Sequence, residues 1–256
     1  MTGVIIVAAI GLISGLILSV ASVVFAVPVD EKQEAVRECL PGANCGACGY
    51  SGCDGYAKAL VEGTAEMGLC SPGGPDVAEE CAEILGKAVG VMEKKAAVIQ
   101  CGGHLDNVST KFEYHGIDTC KAVSMIYAGD SSCAYGCLGH GDCAVVCPEN
   151  AITVCNGLAV VNAAVCIGCG LCQKACPKNI IEIVPAGIKQ HVRCKNTDKG
   201  GETRKVCKVG CIGCMKCQKT CPFEAITVTN NNAAINYEKC KNCGKCKEVC
   251  PVHAIA

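Results

Sequence analysis

A chain of 256 residues has room for one to three compact units at about 150 residues each. Its formal charge of −1 excludes a strongly basic nucleic-acid binder. With no tryptophan, three phenylalanines and six tyrosines against 27 cysteines and 30 glycines, it also excludes an ordinary globular enzyme held by its own apolar core. Cohesion has to come from something that cysteine binds.

From Met1 to Val29 no side chain is charged, and Val4–Val27 reads VIIVAAIGLISGLILSVASVVFAV. A bilayer core of about 30 Å needs roughly 20 helical residues, so the predicted first element is a transmembrane anchor over 1–29. A cleaved signal peptide would want a basic start and an apolar stretch of only about 7–15 residues. Gly11 and Gly15 have the GxxxG spacing that lets another helix approach. Basic residues return only on the C-terminal side, at Lys32 and Arg37. The positive-inside rule then predicts a single pass of the cell (inner) membrane, with 30–256 on the cytoplasmic side. Thiols stay reduced there, which argues against the disulfide framework that such cysteine density would mean in a short secreted chain.

Residues 30–99 are predicted to form a one-cluster module. Leu40–Cys53 reads LPGANCGACGYSGC, giving Cys45-x2-Cys48-x4-Cys53, and Cys70 follows after sixteen residues. Three thiolates on one loop and a fourth from a distant turn suit a cubane cluster, whereas a structural zinc site prefers two separate Cys-x2-Cys pairs. Gly42, Gly46, Gly49 and Gly52 interleave, and glycine accepts the positive φ that lets a loop wrap a cluster and aim N–H groups at its sulfurs. Helices are predicted over about Asp54–Glu66 and, from the spacing of Val77, Ile84, Ala88, Val91 and Val98, over Val77–Ile99. Cys81 is read as a buried structural thiol, and Cys39 has no partner at motif spacing.

A connecting segment, 100–132, contains Cys101 and Cys120. An insertion, 188–209, is predicted as a β-hairpin in which Cys194 and Cys207 lie roughly opposite each other. Brought together, Cys101, Cys120, Cys194 and Cys207 would hold a sixth cluster; the alternative is four structural thiols or a zinc site. Lys189, Arg193, Lys195, Lys199, Arg204, Lys205 and Lys208 crowd the insertion, which is either a solvated face or a docking patch for an acidic soluble ferredoxin.

The rest is an internal repeat. Cys147-Pro148 runs nineteen residues on to Cys166, and Cys221-Pro222 nineteen on to Cys240. Three complete Cys-x2-Cys-x2-Cys-x3-Cys-Pro runs are present: Cys166, Cys169, Cys172, Cys176; Cys211, Cys214, Cys217, Cys221; and Cys240, Cys243, Cys246, Cys250. This is the signature of bacterial two-cluster ferredoxins, and the chain resembles them over 133–187 and 210–256. In those folds the fourth cysteine of each run ligates the other cluster. The resemblance implies that Cys211, Cys214, Cys217 and Cys250 hold one cluster and Cys240, Cys243, Cys246 and Cys221 its neighbour. It likewise implies Cys166, Cys169, Cys172 and Cys147 for one cluster of the first unit. The other half of that unit reads Cys133-x3-Cys137-x5-Cys143-x3-Cys147, a widened loop, with Cys133, Cys137, Cys143 and Cys176 expected around the remaining cluster. Cys155 aligns with Thr229 and is read as a plain strand residue. The fold class is therefore α+β: an anchor helix, a small helical 4Fe-4S module and two tandem 2[4Fe-4S] ferredoxin-like units, with five [4Fe-4S] clusters and a place for a sixth.

No catalytic residue stands out. No GxGxxG follows a strand and no P-loop is present. The order of anchor, LPGxNCGxCGxxGC module and ferredoxin repeats resembles the B-subunit family of Rnf complexes, in its longer form of clostridia and acetogens. That resemblance implies an electron-transfer subunit of an ion-translocating ferredoxin:NAD oxidoreductase. Such a subunit takes electrons from reduced ferredoxin and passes them to integral membrane and flavin- or NAD-binding partner subunits. An electron-transfer subunit of another membrane oxidoreductase and a tethered redox sensor are the rivals.

Overall fold

The computed structural model describes residues 2–24, 30–90 and 93–256. Helix α1 spans Thr2–Val24, 23 residues without a charged side chain. Its side chains are described at Gly3 and over 11–21 only, and among the described residues no helix is long and apolar enough to cross a membrane. Leu12 and Leu16 are 77% and 70% exposed, an apolar surface with no protein against it. The end of the expected anchor, 25–29, lies outside the described residues.

The module is built on α2 (Glu31–Cys39), α3 (Cys53–Val61) and α4 (Gly74–Leu85). Asp30 caps α2 by accepting from the Lys32 N–H at 2.9 Å. The three helices bury Val36, Leu40, Tyr56, Ala57, Leu60 and Cys81 between them. Burying one such aliphatic side chain contributes about 1.5–3 kcal/mol. The helix expected over Val77–Ile99 stops at Leu85, because Gly86 takes a left-handed cap at φ 62° and its N–H bonds back to Ala82 and Glu83. Residues 91 and 92 lie outside the described residues, and Lys95–Ile99 is not helix but strand β1.

Beyond β1 come α5 (Cys120–Ser124), α6 (Asp142–Val145), β2 (Ile152–Cys155), β3 (Leu158–Val161), α7 (Leu171–Ala175) and β4 (Ile181–Pro185). After these follow α8 (Gly200–Val206), α9 (Lys216–Thr220), β5 (Ile226–Thr229), β6 (Asn232–Ile235) and α10 (Lys245–Glu248). Strand β1 pairs antiparallel with β4, Ile99 against Ile181, so 95–99 packs with the first ferredoxin-like unit rather than with the module. The segment 191–193 plays the same part in the second unit, where Val192 bridges Ile255. In each unit a hairpin crosses the other side, β2–β3 and β5–β6. Its two-residue turn is Asn156-Gly157 in one and Asn230-Asn231 in the other, all at positive φ, as the right-handed twist of a hairpin demands. The hairpin expected over 188–209 is absent. Gly200–Val206 forms helix α8 instead, although Cys194 and Cys207 still face one cavity across it.

Candidate iron–sulfur centres

In the module, Gly42, Gly46, Gly49 and Gly52 all have positive φ, between 65° and 91°, so the loop curls as the glycine spacing predicted. Asn44 holds the curl: its Oδ1 accepts from the Cys53 N–H at 2.8 Å, and a Cβ on Gly52 would stand 2.8 Å from that oxygen. The Tyr56 hydroxyl donates to the Glu66 carbonyl at 3.0 Å and accepts from the Leu69 N–H at 3.1 Å, tying the turn of Cys70 to α3. Burial raises the Cys70 thiol, and Cys48, Cys53 and Cys70 pack against the module core.

The cysteines of the complete runs line three cavities. One cavity of the first unit is lined by Cys147, Cys166, Cys169 and Cys172. Two cavities of the second are lined by Cys211, Cys214, Cys217 and Cys250, and by Cys221, Cys240, Cys243 and Cys246. Backbone amides point at the sulfurs: Ala97 N–H donates to Cys166 at 3.3 Å, Ala151 to Cys147 at 3.3 Å and Ala254 to Cys250 at 3.2 Å. Such contacts favour the thiolate and raise the potential of a bound cluster. Burial pushes the Cys172 and Cys217 thiols up to about 11 each.

The remaining half of the first unit differs from expectation. Its cavity is lined by Cys120, Cys137, Cys143 and Cys176, while Cys133 lines another cavity with Cys101, Cys194 and Cys207. Cys120 and Cys133 thus exchange the places expected of them. The reason is in the spacing: Cys137 to Cys143 is six residues, the same as Cys211 to Cys217, so the loop is not widened. His140 stands where the second unit has Cys214, and Cys120 fills the vacated place from outside the run. Gly139 and Gly213 fix the register. A Cβ on either would run into the hairpin turn of its unit, at Gly157 or Asn231. Asp142 sets Cys120 in place by accepting from the Cys120 and Lys121 N–H groups at 2.9 and 3.0 Å, at the start of α5. The His140 ring turns away to Asp118, Nδ1 to Oδ1 at 2.5 Å. Burial first, and then the charges of Cys137, Cys120 and Cys176, together push Cys143 up to about 12. Asn44 stands inside the LPGxNCGxCGxxGC motif, whereas Asp142 has no motif to announce it; the absent thiol at position 140 is the one sequence signal for Cys120.

Among the described residues no three or more His, Cys, Asp or Glu side chains converge closely enough to hold a single metal ion. Thiols line five cavities in fours instead. Cys39, Cys81 and Cys155 line none of these cavities: Cys81 is buried in the module core with Cys39 packed against that core, and Cys155 is exposed.

Known families match the same segments. Residues 40–72 match a family described as an Fe-S cluster, 137–151 a 4Fe-4S binding domain, and 165–225 and 210–254 a 4Fe-4S dicluster domain. The 137–151 match begins at Cys137, not Cys133. Over 232 residues, 90% of this chain and 70% of the relative, the sequence is 42% identical to the B subunit of the Na(+)-translocating ferredoxin:NAD(+) oxidoreductase complex of Acetobacterium woodii. The proton-translocating counterpart of Clostridium ljungdahlii is 44% identical over 90% of this chain and 82% of its own. The B subunit of the ion-translocating oxidoreductase complex of Methanosarcina acetivorans is 40% identical over 91% and 89%. With cysteine cages of this design and relatives of this closeness over nearly its whole length, the chain belongs to the B-subunit family of ion-translocating ferredoxin:NAD+ oxidoreductase (Rnf) complexes.

Proposed function

We propose that the chain is the iron–sulfur wire of its complex, passing single electrons from soluble ferredoxin to membrane partner subunits through [4Fe-4S] clusters. The observation that carries this is the recurrence of one construction: separate cavities, each walled by four cysteines, with glycine and backbone N–H groups between them. Cys45, Cys48, Cys53 and Cys70 hold one cluster. Cys147, Cys166, Cys169 and Cys172 hold the second, and Cys120, Cys137, Cys143 and Cys176 the third. Cys211, Cys214, Cys217 and Cys250 hold the fourth, and Cys221, Cys240, Cys243 and Cys246 the fifth. A cluster supplies one-electron chemistry; the protein sets its potential through N–H···S contacts and burial.

Charge supports the direction of docking. Residues 188–256 carry thirteen Lys and Arg against five Asp and Glu, whereas 30–90 carry four against eleven. Lys239, Lys241, Lys245 and Lys247 are exposed beside the cavity of Cys240, Cys243 and Cys246, and Cys243 itself is exposed. An acidic ferredoxin would be steered to the second unit and repelled by the module. Helix α1, uncharged throughout, anchors the other end in the membrane, with 30–256 on the cytoplasmic side. Flavin and NAD sites belong to partner subunits.

The test is iron and acid-labile sulfide on the full chain, purified without oxygen. At four iron atoms per cubane, at least about 20 per chain are expected. A colourless, iron-free chain that stays folded until a reductant is added would overturn the proposal.

A further inference from the structure

One cavity belongs to neither ferredoxin-like unit alone. We propose that Cys101, Cys133, Cys194 and Cys207 form a sixth [4Fe-4S] site that bridges the two units, and that electrons cross between the units through it. This rests on the iron–sulfur reading above.

The cavity is built from two equivalent halves. The Gln100 N–H donates to the Ile180 carbonyl at 2.7 Å, and the Arg193 N–H donates to the Ala254 carbonyl at 2.7 Å. Ile180 and Ala254 each lie four residues after the last cysteine of their unit, so Gln100 and Arg193 are structural counterparts. The next residues are Cys101 and Cys194. Cys133 and Cys207 match as well, each four residues before the first run cysteine, Cys137 or Cys211. Each repeat therefore contributes the same two thiols.

The hydrogen bonds repeat too. Cys101 accepts from Gly103 and Cys137 N–H groups, each at 3.4 Å; Cys194 accepts from the N–H groups of Asn196 and Cys211. Gly103 and Asn196 are both two residues on, and Cys137 and Cys211 are both the first thiol of a neighbouring cage. The fully buried Asn196 aims its Nδ2 at Cys133 at 3.7 Å. A Cβ on Gly103 would touch the sulfurs of Cys101 and Cys207 at 3.5 and 3.7 Å, and one on Gly136 those of Cys101 and Cys133 at 3.7 Å each. Glycine at both places leaves the four sulfurs free to face the cavity, and the N–H donors suit an anionic, thiolate-bound cluster.

The bridge completes a line. Within the first unit, Cys143, Cys166 and Cys172 share one buried core, with Cys137, Cys147 and Cys176 packed against it, so its two cages are neighbours. One N–H···S bond then joins Cys137 to Cys101, and another joins Cys211 to Cys194. Along the ferredoxin-like region the order is outer and inner cages of the first unit, bridge, inner and outer cages of the second. Each hop oxidises the donor cluster by one electron and reduces its neighbour by one, with reduced ferredoxin as the source; no bond breaks and no proton moves.

The experiment uses the full chain purified anoxically, with metal analysis and EPR of the reduced clusters. Wild type is expected to hold about 24 iron atoms and no zinc, at four per cluster. Cys133→Ser and Cys194→Ser, one from each repeat, are expected to abolish or alter the same EPR signal, and Cys120→Ser a different one. About 20 iron atoms in wild type, or 20 with one zinc, overturns the bridge and leaves the five-cluster wire standing. A wild type without iron overturns both. Cys133→Ser and Cys120→Ser changing the same signal also overturns the bridge. Should one serine variant lose all iron by failing to fold, the wild-type count and the variant from the other repeat still decide.

Discussion

The two ferredoxin-like units share a plan, yet only the second keeps its ligands in contiguous runs. In the second, Cys211, Cys214 and Cys217 lie on one loop, and every thiol expected of its two cavities comes from residues 211–250. In the first, position 140 is histidine, and the missing thiol arrives from Cys120, seventeen residues before Cys137. The stretch from Cys101 to Cys133 is nineteen residues longer than that from Cys194 to Cys207, and α5 with Cys120 lies inside this extra length. Four thiols around a cavity are the constant requirement of the geometry; where the chain supplies them from is free, provided a neighbour fixes the arrival. Here Asp142 does so.

The largest break in the comparison is Cys120→Ser. It is expected to cost the first unit its inner cluster, about four iron atoms per chain, as Cys214→Ser does in the second unit. Metal analysis of the two variants side by side checks this, and an unchanged iron content in Cys120→Ser would return Cys120 to a structural thiol. The comparison is sharpened by adding the thiol back where the repeat calls for it. Cys120→Ser combined with His140→Cys is expected to regain the lost iron and the EPR signal of that cluster. The His140 N–H already faces the Cys120 sulfur, so a side chain on the same backbone is within reach of the cavity.

A smaller effect is expected from Asp142→Ala. It removes the carboxylate that accepts two N–H groups at the start of α5 without touching a thiol. Hydrogen bonds to a charged acceptor contribute about 1.5–3 kcal/mol. Loss of the clamp should therefore speed iron release from this cage to a chelator by roughly ten-fold or more, at about 1.4 kcal/mol per factor of ten. Lys216 holds the corresponding place in the second unit, and Lys216→Ala is expected to leave the release rate there unchanged.

The sequence discloses which thiols of the contiguous runs line a cavity together, because a run of Cys-x2-Cys spacings turns its side chains to one side by local geometry alone. It also discloses the positive-φ glycines of the module loop. Cys120 and Cys133 change places between expectation and structure because both lie outside a run, where only tertiary contacts say which cavity a thiol faces. Strand β1 reads as helix because Val91 and Val98 extend an apolar period past Gly86, and nothing local shows that β4, over eighty residues later, will pair with 95–99. The α8 region reads as a hairpin because Gly200-Gly201 between flanking cysteines has the composition of a turn; the chain uses the same two glycines to start a helix. A Cβ on Gly200 would stand 2.6 Å from the Ile212 carbonyl oxygen, so that glycine is there for close approach rather than for a turn.

Charge separates the units as well, and it gives the smallest and most reversible effect. Residues 133–187 carry two Lys against three Asp and Glu, close to neutral, while the second unit is strongly basic. If ferredoxin docks on the second, Lys241→Glu with Lys245→Glu reverses two exposed charges beside the outermost cage without touching a ligand. Steering depends on long-range attraction, so the rate of reduction by ferredoxin should fall several-fold at low ionic strength. At about 1 M salt, where the screening length is about 3 Å, variant and wild type should converge. Lys174→Glu on the first unit is expected to change the rate little at either salt concentration. Stopped-flow reduction of the anoxic chain at both salt concentrations reads all three. A deficit that persists at high salt would mean damage to the cluster, which iron analysis of the same sample detects, while equal slowing by Lys174→Glu would remove the second unit's claim to be the point of entry.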